Sequence, residues 1–422
     1  MVYTIRFIGL MLGGIAAALL SAQAEAVPSF ARQTGMACNA CHIIYPELTA
    51  FGRSFKLNGY TLTGIKQVEA KASPAASGLK VDEIPPFSAM LQVNGTNSKS
   101  QSPSSQISLP DQLSLFYAGE ITPHMGSFIQ MTMEQGSGFG LDNTDIRYAN
   151  HAGNVTYGVT LNNSPTTQDL WNSTPSWGYP WTAGAGVTAP VVADALAQNV
   201  AGLGGYADWG NGVYTELSLY RDTNAFDAPS GVADATDPSL TQQVRVSGVA
   251  PYWRVAWEKA MANGDTLMVG TYGMQASLYA TDPEAFYAGP ADQYTDVAVD
   301  SQYEHALANS NNSVTAHASY TSEKQTLDLS APGSSPSLKS LRLDGTYHWG
   351  YHVEATLAYA MNSGSDVGNA YDDKAWTMQA SYLPWQNTKF TVQYVKYAEL
   401  AGMTDSSATD NNTLLLQGWL MW

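Results

Sequence analysis

The stretch Phe87-Ser88-Ala89-Met90-Leu91-Gln92-Val93-Asn94 decides the fold, because its side chains alternate in character. Its odd-numbered residues are all apolar, whereas serine, glutamine and asparagine fall among the even-numbered ones. Successive side chains of a β-strand point to opposite sides, so this period of two predicts a strand with one apolar face.

The same alternation returns along the chain, notably at residues 113–118, 129–134, 213–219 and 353–359. We count about sixteen such segments between residues 87 and 422, and strands with one face in lipid and one toward a polar interior build transmembrane β-barrels. The last strand alternates to the end, with Leu414, Leu416, Leu420 and Trp422 on one face. An aromatic C-terminal residue on such a strand resembles an outer-membrane insertion signal.

The connections between these segments alternate in length. Short turns are predicted at residues 122–125, 152–154, 209–211, 263–264, 349–351 and 384–387. Long loops are predicted at residues 97–110, 162–200, 222–241, 281–291, 323–337, 362–372 and 401–411. Short turns on one rim and long loops on the other are typical of outer-membrane barrels, and a soluble β-sandwich rarely keeps that alternation.

Composition agrees with this fold class. Only 13% of residues are charged, against about a quarter in ordinary soluble domains. No long apolar segment follows the first 26 residues, which excludes a helical membrane protein. We therefore predict a mainly β protein, an outer-membrane β-barrel of about 16 antiparallel strands over residues 87–422, in contact with bacterial outer-membrane lipid.

Residues 1–26 have the pattern of a secretory signal peptide. A cationic Arg6 precedes an apolar run, and small residues follow at Ala24-Glu25-Ala26. The run is shorter than the roughly 20 residues that a spanning helix needs. We predict cleavage after Ala26, and then a short segment over 27–80 and a linker over 81–86.

Within that segment, Cys38-Asn39-Ala40-Cys41-His42 contains both cysteines of the chain and has the c-type haem attachment pattern. Each thiol can add to one haem vinyl group, and the adjacent imidazole is the proximal iron ligand. A redox dithiol would need a βαβ context and a zinc site two more ligands nearby, and neither is present. We predict a monohaem cytochrome c segment that holds one covalent haem c through Cys38, Cys41 and His42. His42 is the predicted catalytic residue, because it is the axial ligand of the redox-active iron.

This segment lacks two things that a small cytochrome needs. No methionine or second histidine follows His42 before residue 81, so the sixth iron ligand is missing. Domains this small also bury only about 60% of their surface, so the segment must be stabilised by packing against the barrel. An even strand count puts both barrel ends on the short-turn rim, and we therefore expect the segment to plug the lumen.

Strand phase limits which barrel residues could supply the sixth ligand. Met131 and Met133 point to lipid, and Met36 is too near Cys38 to cross the ring. The remaining candidates lie on inward-facing strand positions or at short turns: Met90, His151, His317 and His348 point inward, and His124 and His352 lie at turns.

Charge separates the two parts of the chain. Residues 27–80 carry a net charge of +4, whereas the whole chain carries −17. This difference favours docking of the segment on the barrel, although the acidity could serve only solubility or ion selectivity. Acidic loop residues, namely Asp222, Asp227, Asp234 and Asp237, could concentrate a cation or could simply be solvated. Nucleic-acid binding and hydrolytic chemistry find no support, because no basic stripe and no nucleophile motif is present.

The segment also resembles a known family. The similarity lies in Pro28 to Gly35, in Pro46-Glu47-Leu48 and in Phe51 to Lys56 followed by Gly59-Tyr60. It continues at residues 88–90, 112–119, 143–148, 161–163 and 171–175, and beyond about residue 181 only the general barrel pattern matches. These residues resemble the fused monohaem cytochrome-porins of iron-oxidising bacteria.

The resemblance, and not the composition, implies the substrate. Members of that family are outer-membrane iron(II) oxidases, so extracellular Fe(II) is the expected electron donor and a periplasmic cytochrome c the expected acceptor. Two other functions remain open: an electron conduit for a different donor or acceptor, and a channel-forming porin whose haem is structural.

Overall fold

The structure, a computed structural model, describes residues 28–43, 45–62, 86–134, 138–174, 189–222, 245–279, 290–307, 310–328, 331–366, 369–370 and 372–422. The strands are β1 (Phe87–Ser98), β2 (Ser105–Thr122), β3 (Met125–Glu134), β4 (Phe139–Ala152), β5 (Val155–Asn162), β6 (Val200–Trp209), β7 (Val213–Asp222), β8 (Arg245–Val246), β9 (Ala250–Ala260), β10 (Thr266–Tyr279), β11 (Asp292–Ala306), β12 (Ser313–Thr326), β13 (Ser337–Trp349), β14 (Val353–Asp366), β15 (Asn369–Ala370), β16 (Asp373–Trp385), β17 (Thr388–Glu399) and β18 (Thr413–Met421).

These strands close into one antiparallel barrel. Strand β1 pairs with both β2 and β18, so the sheet has no free edge there. The two-residue strands β8 and β15 pair with β10 and β14 above the ends of β9 and β16. Sixteen long strands therefore form the wall in the described part of the chain, as the alternation predicted.

The two faces of the wall have opposite chemistry. Leu217 and Leu219 on β7 are 58% and 50% exposed, whereas Ser218 between them is fully buried. Exposed leucines, valines and aromatics recur at outward positions on the other strands, and buried Asp, Glu, Arg, Ser and Thr side chains recur at inward ones. An apolar outside and a polar inside are what lipid and an internal polar network require.

The lengths of the connections are mostly as predicted. The short turns between β2 and β3, β4 and β5, and β6 and β7 lie where expected. The predicted loop at 97–110 is wrong in extent, because β1 continues to Ser98 and β2 begins at Ser105, with Asn97 paired to Ser105. Backbone hydrogen bonding continues above the lipid there, even though the side chains are largely polar.

The N-terminal segment, here meaning residues 28–62 without residue 44, packs against the inner wall near the short-turn rim. It contains helices at Pro28–Thr34, Cys38–Cys41 and Ala50–Leu57. Gln33 donates to the Ala118 carbonyl at 2.9 Å, Tyr45 to the Gln386 carbonyl at 3.0 Å, and Tyr206 to the Leu57 carbonyl at 2.7 Å. None of the helices in the described residues is long and apolar enough to cross a membrane.

The predicted signal peptide, residues 63–80 and nearly all of the predicted linker lie outside the described residues. Those predictions therefore stay predictions. Closure of the lumen to solutes by the N-terminal segment likewise stays a prediction.

A second element folds inward from the long-loop side. We call residues 163–174 the inner loop; it begins with a helical turn at Pro165–Gln168. Gln168 accepts a hydrogen bond from Ser218 at 2.8 Å, and the Trp171 indole donates to Glu258 at 2.6 Å. The sequence predicted only a long loop here, because its contacts are with strands far away along the chain.

An arginine on the lipid face tests this orientation of the wall. Leu357 on β14 is 52% exposed and lies about midway along the span, so Leu357→Arg should destabilise the barrel by about 2–4 kcal/mol in a bilayer. The measurement is denaturant unfolding from lipid vesicles. Ile107→Arg is the matched control, because Ile107 is 72% exposed at the far end of the long strand β2, and it should change stability little. Equal losses in both variants would contradict the assigned lipid-facing band.

Candidate haem site

The helix Ala50–Leu57 forms one wall of the site. The Thr49 hydroxyl caps its start by accepting from the Gly52 amide at 3.0 Å, and Gly59 follows its end with φ +70°, a conformation that suits glycine. One face buries Phe55 and Leu57. The same cap also ties the helix to the cysteine turn, since the Thr49 hydroxyl donates to the Ala40 carbonyl at 2.7 Å and its amide to the Cys41 carbonyl at 2.9 Å.

The cysteine turn is a single helical turn from Cys38 to Cys41. The His42 amide donates to the Cys38 carbonyl at 2.9 Å, which fixes the histidine directly after the turn. The Cys38 amide donates to the side chain of Gln386 on the barrel rim at 3.1 Å. The two cysteines form no disulfide, and burial together with the neighbouring Cys38 raises the pKa of the Cys41 thiol to about 11.

Both cysteines and His42 line one cavity, which opens to solvent. Its walls are largely apolar and include Phe30, Leu48, Phe51, Phe55, Phe128 and Leu170. The barrel wall and the inner loop complete it with polar side chains from Asn143, Thr167, Asp169 and Asn172.

His42 lines the cavity directly after the cysteine turn. The residue is half-buried, yet its Nδ1 atom is fully buried beside the backbone of Pro46 and Glu47 without a hydrogen bond of full geometry. Burial lowers the pKa of His42 to about 4, and nearby backbone groups offset this only in part. The imidazole is neutral at pH 7, which is the form that binds metals.

These residues fit a c-type haem. Two cysteines on one helical turn that form no disulfide, a neutral imidazole with a buried Nδ1 and a largely apolar cavity lie together. A zinc site would need further cysteine, histidine or carboxylate ligands beside the thiols. The metal-ligand cluster found in the described residues lies elsewhere and contains neither cysteine.

The predicted sixth ligands do not line this cavity among the described residues. Met90 is 1% exposed and packs with Cys38 in an apolar cluster behind the turn. His348 is buried beside Thr315, and the two ring nitrogens of His317 face Glu47 and Asp344. His124 and His151 are exposed at the short-turn rim, and the His352 ring bonds the Leu383 carbonyl at 2.7 Å.

Met36, which the sequence argument set aside for its nearness to Cys38, does line the cavity. Strand phase identifies the face on which a wall residue lies but not its height along the barrel or its side of the lumen. The identity of the sixth ligand therefore stays a prediction.

Ion pairs join the N-terminal segment to the wall. Arg53 is 3% exposed and contacts Glu258 on β9 at 2.8 Å and Glu304 on β11 at 2.9 Å. Tyr60 donates to Asp145 on β4 at 2.6 Å, and Asp145 is paired with the buried Arg147 at 2.7 Å. The basic N-terminal segment therefore contacts acidic residues of the wall, which agrees with the docking that the opposite net charges of the two parts favour.

One acidic loop candidate needs correction. Asp222 ends β7, is 1% exposed and pairs with Arg245 at 3.3 Å, so it is not a solvated residue that could collect cations. Asp227, Asp234 and Asp237 lie outside the described residues. Their proposed role stays a prediction.

Gly52 tests the contact between the helix and the cysteine turn. A Cβ atom at this position would lie 2.1 Å from the Cys41 carbonyl oxygen, and backbone cannot yield as a side chain can. Gly52→Ala should therefore push the helix from the turn, cost about 1–3 kcal/mol and lower haem content per polypeptide. Pyridine haemochrome absorbance measures that content. In the control Gly95→Ala the nearest atom is 4.0 Å away, and haem content should not change. Unchanged haem in Gly52→Ala would contradict the packing.

Comparisons with known proteins address the fold. No protein-family model and no curated protein matches this chain. A loop L8 deletion mutant of OmpT, an outer membrane protein of Vibrio cholerae, superposes with a TM-score of 0.50 at 8% identity, over 80% of this chain and 98% of that one. The fold is that of an outer-membrane β-barrel.

Porins occur among the other similar structures. The anion-selective porin from Comamonas acidovorans has a TM-score of 0.48 and 11% identity over 79% of this chain and 98% of its own. OmpF of Salmonella typhi, solved with daunomycin, has a TM-score of 0.47 and 13% identity over 80% and 97%. At such identities the likeness concerns architecture alone.

Proposed function

We propose that this chain is an outer-membrane cytochrome-porin that oxidises extracellular Fe(II) and passes each electron through one covalently attached haem c to a periplasmic cytochrome c. The observation that supports it best is that Cys38, Cys41 and His42 line one cavity on the inner side of a porin-type barrel. Fe(II) as the donor rests on the sequence resemblance to cytochrome-porin iron oxidases.

The roles of the residues follow from their positions. Cys38 and Cys41 would form the two thioether bonds, and His42, which lines the same cavity, would bind the iron. When bound, the haem supplies a one-electron redox centre. The phenylalanines of the lining exclude water, which slows side reactions and lowers the local dielectric. Lys56 lines the cavity as a cation that can pair with a cofactor carboxylate.

The barrel supplies the route across the membrane. Residues 28–62 on the short-turn side and the inner loop on the other both extend into the lumen and contact the same strand, β9, through Glu258. This arrangement favours a plugged lumen in which electrons cross and ions do not. Each Fe(II) loses one electron outside and the acceptor gains it in the periplasm, so insoluble ferric product stays outside the cell.

The test is an anaerobic stopped-flow experiment on the detergent-solubilised holoprotein mixed with Fe(II). We expect rapid appearance of the reduced haem spectrum, with one Fe(II) oxidised per haem in a single turnover. If ascorbate or dithionite reduces the haem and Fe(II) does not, the iron oxidase proposal is overturned, whereas the haem site is retained.

A second candidate is a diffusion porin with a structural haem, with which the closed barrel is also compatible. It predicts large single-channel conductance of the holoprotein in a planar bilayer. A plugged electron conduit predicts conductance near the baseline. The same bilayer measurement therefore separates the two.

A further inference from the structure

A cluster away from the cysteine turn joins the N-terminal segment to the wall. It consists of Glu47, which follows the cysteine turn, and of His317 on β12 and Asp344 on β13. Glu47 is 2% exposed. Each residue presents one ligand atom within 4.8 Å of the other two, in a pattern that can hold a metal ion.

The contacts within the cluster are incomplete. The His317 Nδ1 atom lies 2.9 Å from Asp344 Oδ1, in hydrogen-bonding geometry. The His317 Nε2 atom lies 3.2 Å from Glu47 Oε1, but this contact lacks hydrogen-bond geometry. Both carboxylate oxygens of Glu47 and the Nε2 atom are buried without a hydrogen-bond partner among the described residues. Burying polar atoms without a hydrogen-bond partner destabilises a fold unless another group or an ion interacts with them.

The direction of the Asp344 contact determines what can satisfy them. An ionised carboxylate only accepts hydrogen bonds, so Nδ1 of His317 must be the donor. In the neutral ring the lone pair of Nε2 then faces a carboxylate oxygen of Glu47. Two lone pairs repel each other at this distance, so either a proton held by one of the two atoms or a metal ion must lie between them.

The spacing matches that of two ligands on one ion. Imidazole nitrogen and carboxylate oxygen bind zinc-like cations at about 2.1 Å, which places them about 3.0 Å apart at a 90° angle and about 3.4 Å apart at the tetrahedral angle. The observed separation of 3.2 Å lies between these values. A carboxylate on the other ring nitrogen is the usual outer partner of a metal-binding histidine.

We propose that Glu47, His317 and Asp344 form a site for one divalent first-row transition-metal ion between the N-terminal segment and the barrel wall. His317 Nε2 and the Glu47 carboxylate are direct ligands, and Asp344 is a positioning residue that fixes the ring. Mixed imidazole and carboxylate ligands suit Zn(II), Mn(II) and Fe(II). The surrounding acidic side chains of Glu304 and Glu354 act on Glu47 electrostatically and favour a cation there.

The site goes beyond the proposed function and does not depend on it. The Ile43 amide donates to the Glu47 carbonyl at 3.1 Å, so the site lies close to His42, the proposed haem ligand. A metal ion bound here would fasten the cysteine turn to the wall. Occupancy requires no electron transfer, so a redox-inert ion can test it.

The experiment is isothermal titration calorimetry of the detergent-solubilised holoprotein with Zn(II) after chelator treatment, followed by zinc X-ray absorption. We expect one zinc per chain to be lost in His317→Gln and in Glu47→Gln. Asp344→Asn should keep the site but weaken it by about 10–100-fold. The absorption spectrum should show imidazole scattering in the wild type that His317→Gln removes.

His305→Gln is the matched control. His305 also pairs with a carboxylate, Asp265, at 2.7 Å, but it lies 41% exposed at the short-turn rim. It should keep the zinc that the cluster variants lose. A shift in gel migration between heated and unheated samples verifies that each barrel is folded. If His317→Gln does not fold, Glu47→Gln is the variant that tests the site. Unchanged stoichiometry in both folded cluster variants, or loss in His305→Gln alone, would overturn the site while leaving the Fe(II) stopped-flow result unaffected.

Discussion

Replacing Cys38 and Cys41 together by alanine is expected to abolish covalent haem attachment and with it any reduction by Fe(II). The reason is chemical, because these two are the only thiols in the chain and both line the cavity beside His42. Without thioether bonds, only His42 would hold the haem iron, and the haem would dissociate when the protein is denatured. Haem staining after denaturing electrophoresis should fall from a strong band to background.

The single variants and a control make the result specific. Cys41→Ala should keep at most one thioether bond, which shifts the haem absorbance toward that of a haem with one free vinyl group. Asn39→Ala changes an exposed residue inside the same turn and should leave haem content unchanged. Persistent covalent haem in the double variant would exclude these cysteines as the attachment site.

Replacing Arg53 by methionine is expected to release the N-terminal segment from the wall. Arg53 is buried and pairs with Glu258 and Glu304 at 2.8 and 2.9 Å, so its removal leaves two carboxylates facing an apolar side chain. Removing one partner of a buried ion pair costs about 3–5 kcal/mol. We expect about 3 kcal/mol here, because the two glutamates keep 22% and 19% exposure. That free energy shifts the docked equilibrium about a hundredfold.

Single-channel recording in a planar bilayer measures the consequence. Wild-type protein should conduct near the baseline, and Arg53→Met should open the lumen and raise the conductance. Limited proteolysis should also cut the released segment faster. Lys99→Met is the control, because Lys99 is 81% exposed in its pair with Asp410 and such surface pairs contribute at most about 1 kcal/mol. Equal conductance in wild type and Arg53→Met would mean that Arg53 does not hold the segment in place.

The barrel was readable from the sequence because its determinants are local. Alternation such as that of Val213 to Leu219 states which face of a strand meets lipid, and turn residues between strands fix the strand count. Where the apolar alternation ends, the predicted boundary between strand and loop was wrong, as at residues 97–110. There the side chains are polar, and only the partner strand shows that the backbone remains paired.

The candidate site likewise contains residues that the local sequence predicts and residues that only the tertiary structure identifies. The haem motif is five consecutive residues, so the sequence alone could predict Cys38, Cys41 and His42 as the haem-binding residues. It could not identify Asn143, Asp169 or Asn172 on the far side of the cavity, nor Arg53 as the anchor. These residues lie far apart along the chain, and the contacts depend on how deep the N-terminal segment sits in the barrel.

By itself, then, the sequence determined a barrel of about sixteen strands and the orientation of its faces, and it predicted a covalent haem site, because period-two alternation and a contiguous motif are properties of neighbouring residues. Only the tertiary structure decided that Met36 rather than Met90 lines the cavity, that Asp222 is buried, and that Glu47 meets His317 and Asp344. Each of these depends on the height and rotation at which one segment packs against another, which is set by the summed packing of the whole lumen and leaves no local trace in the chain.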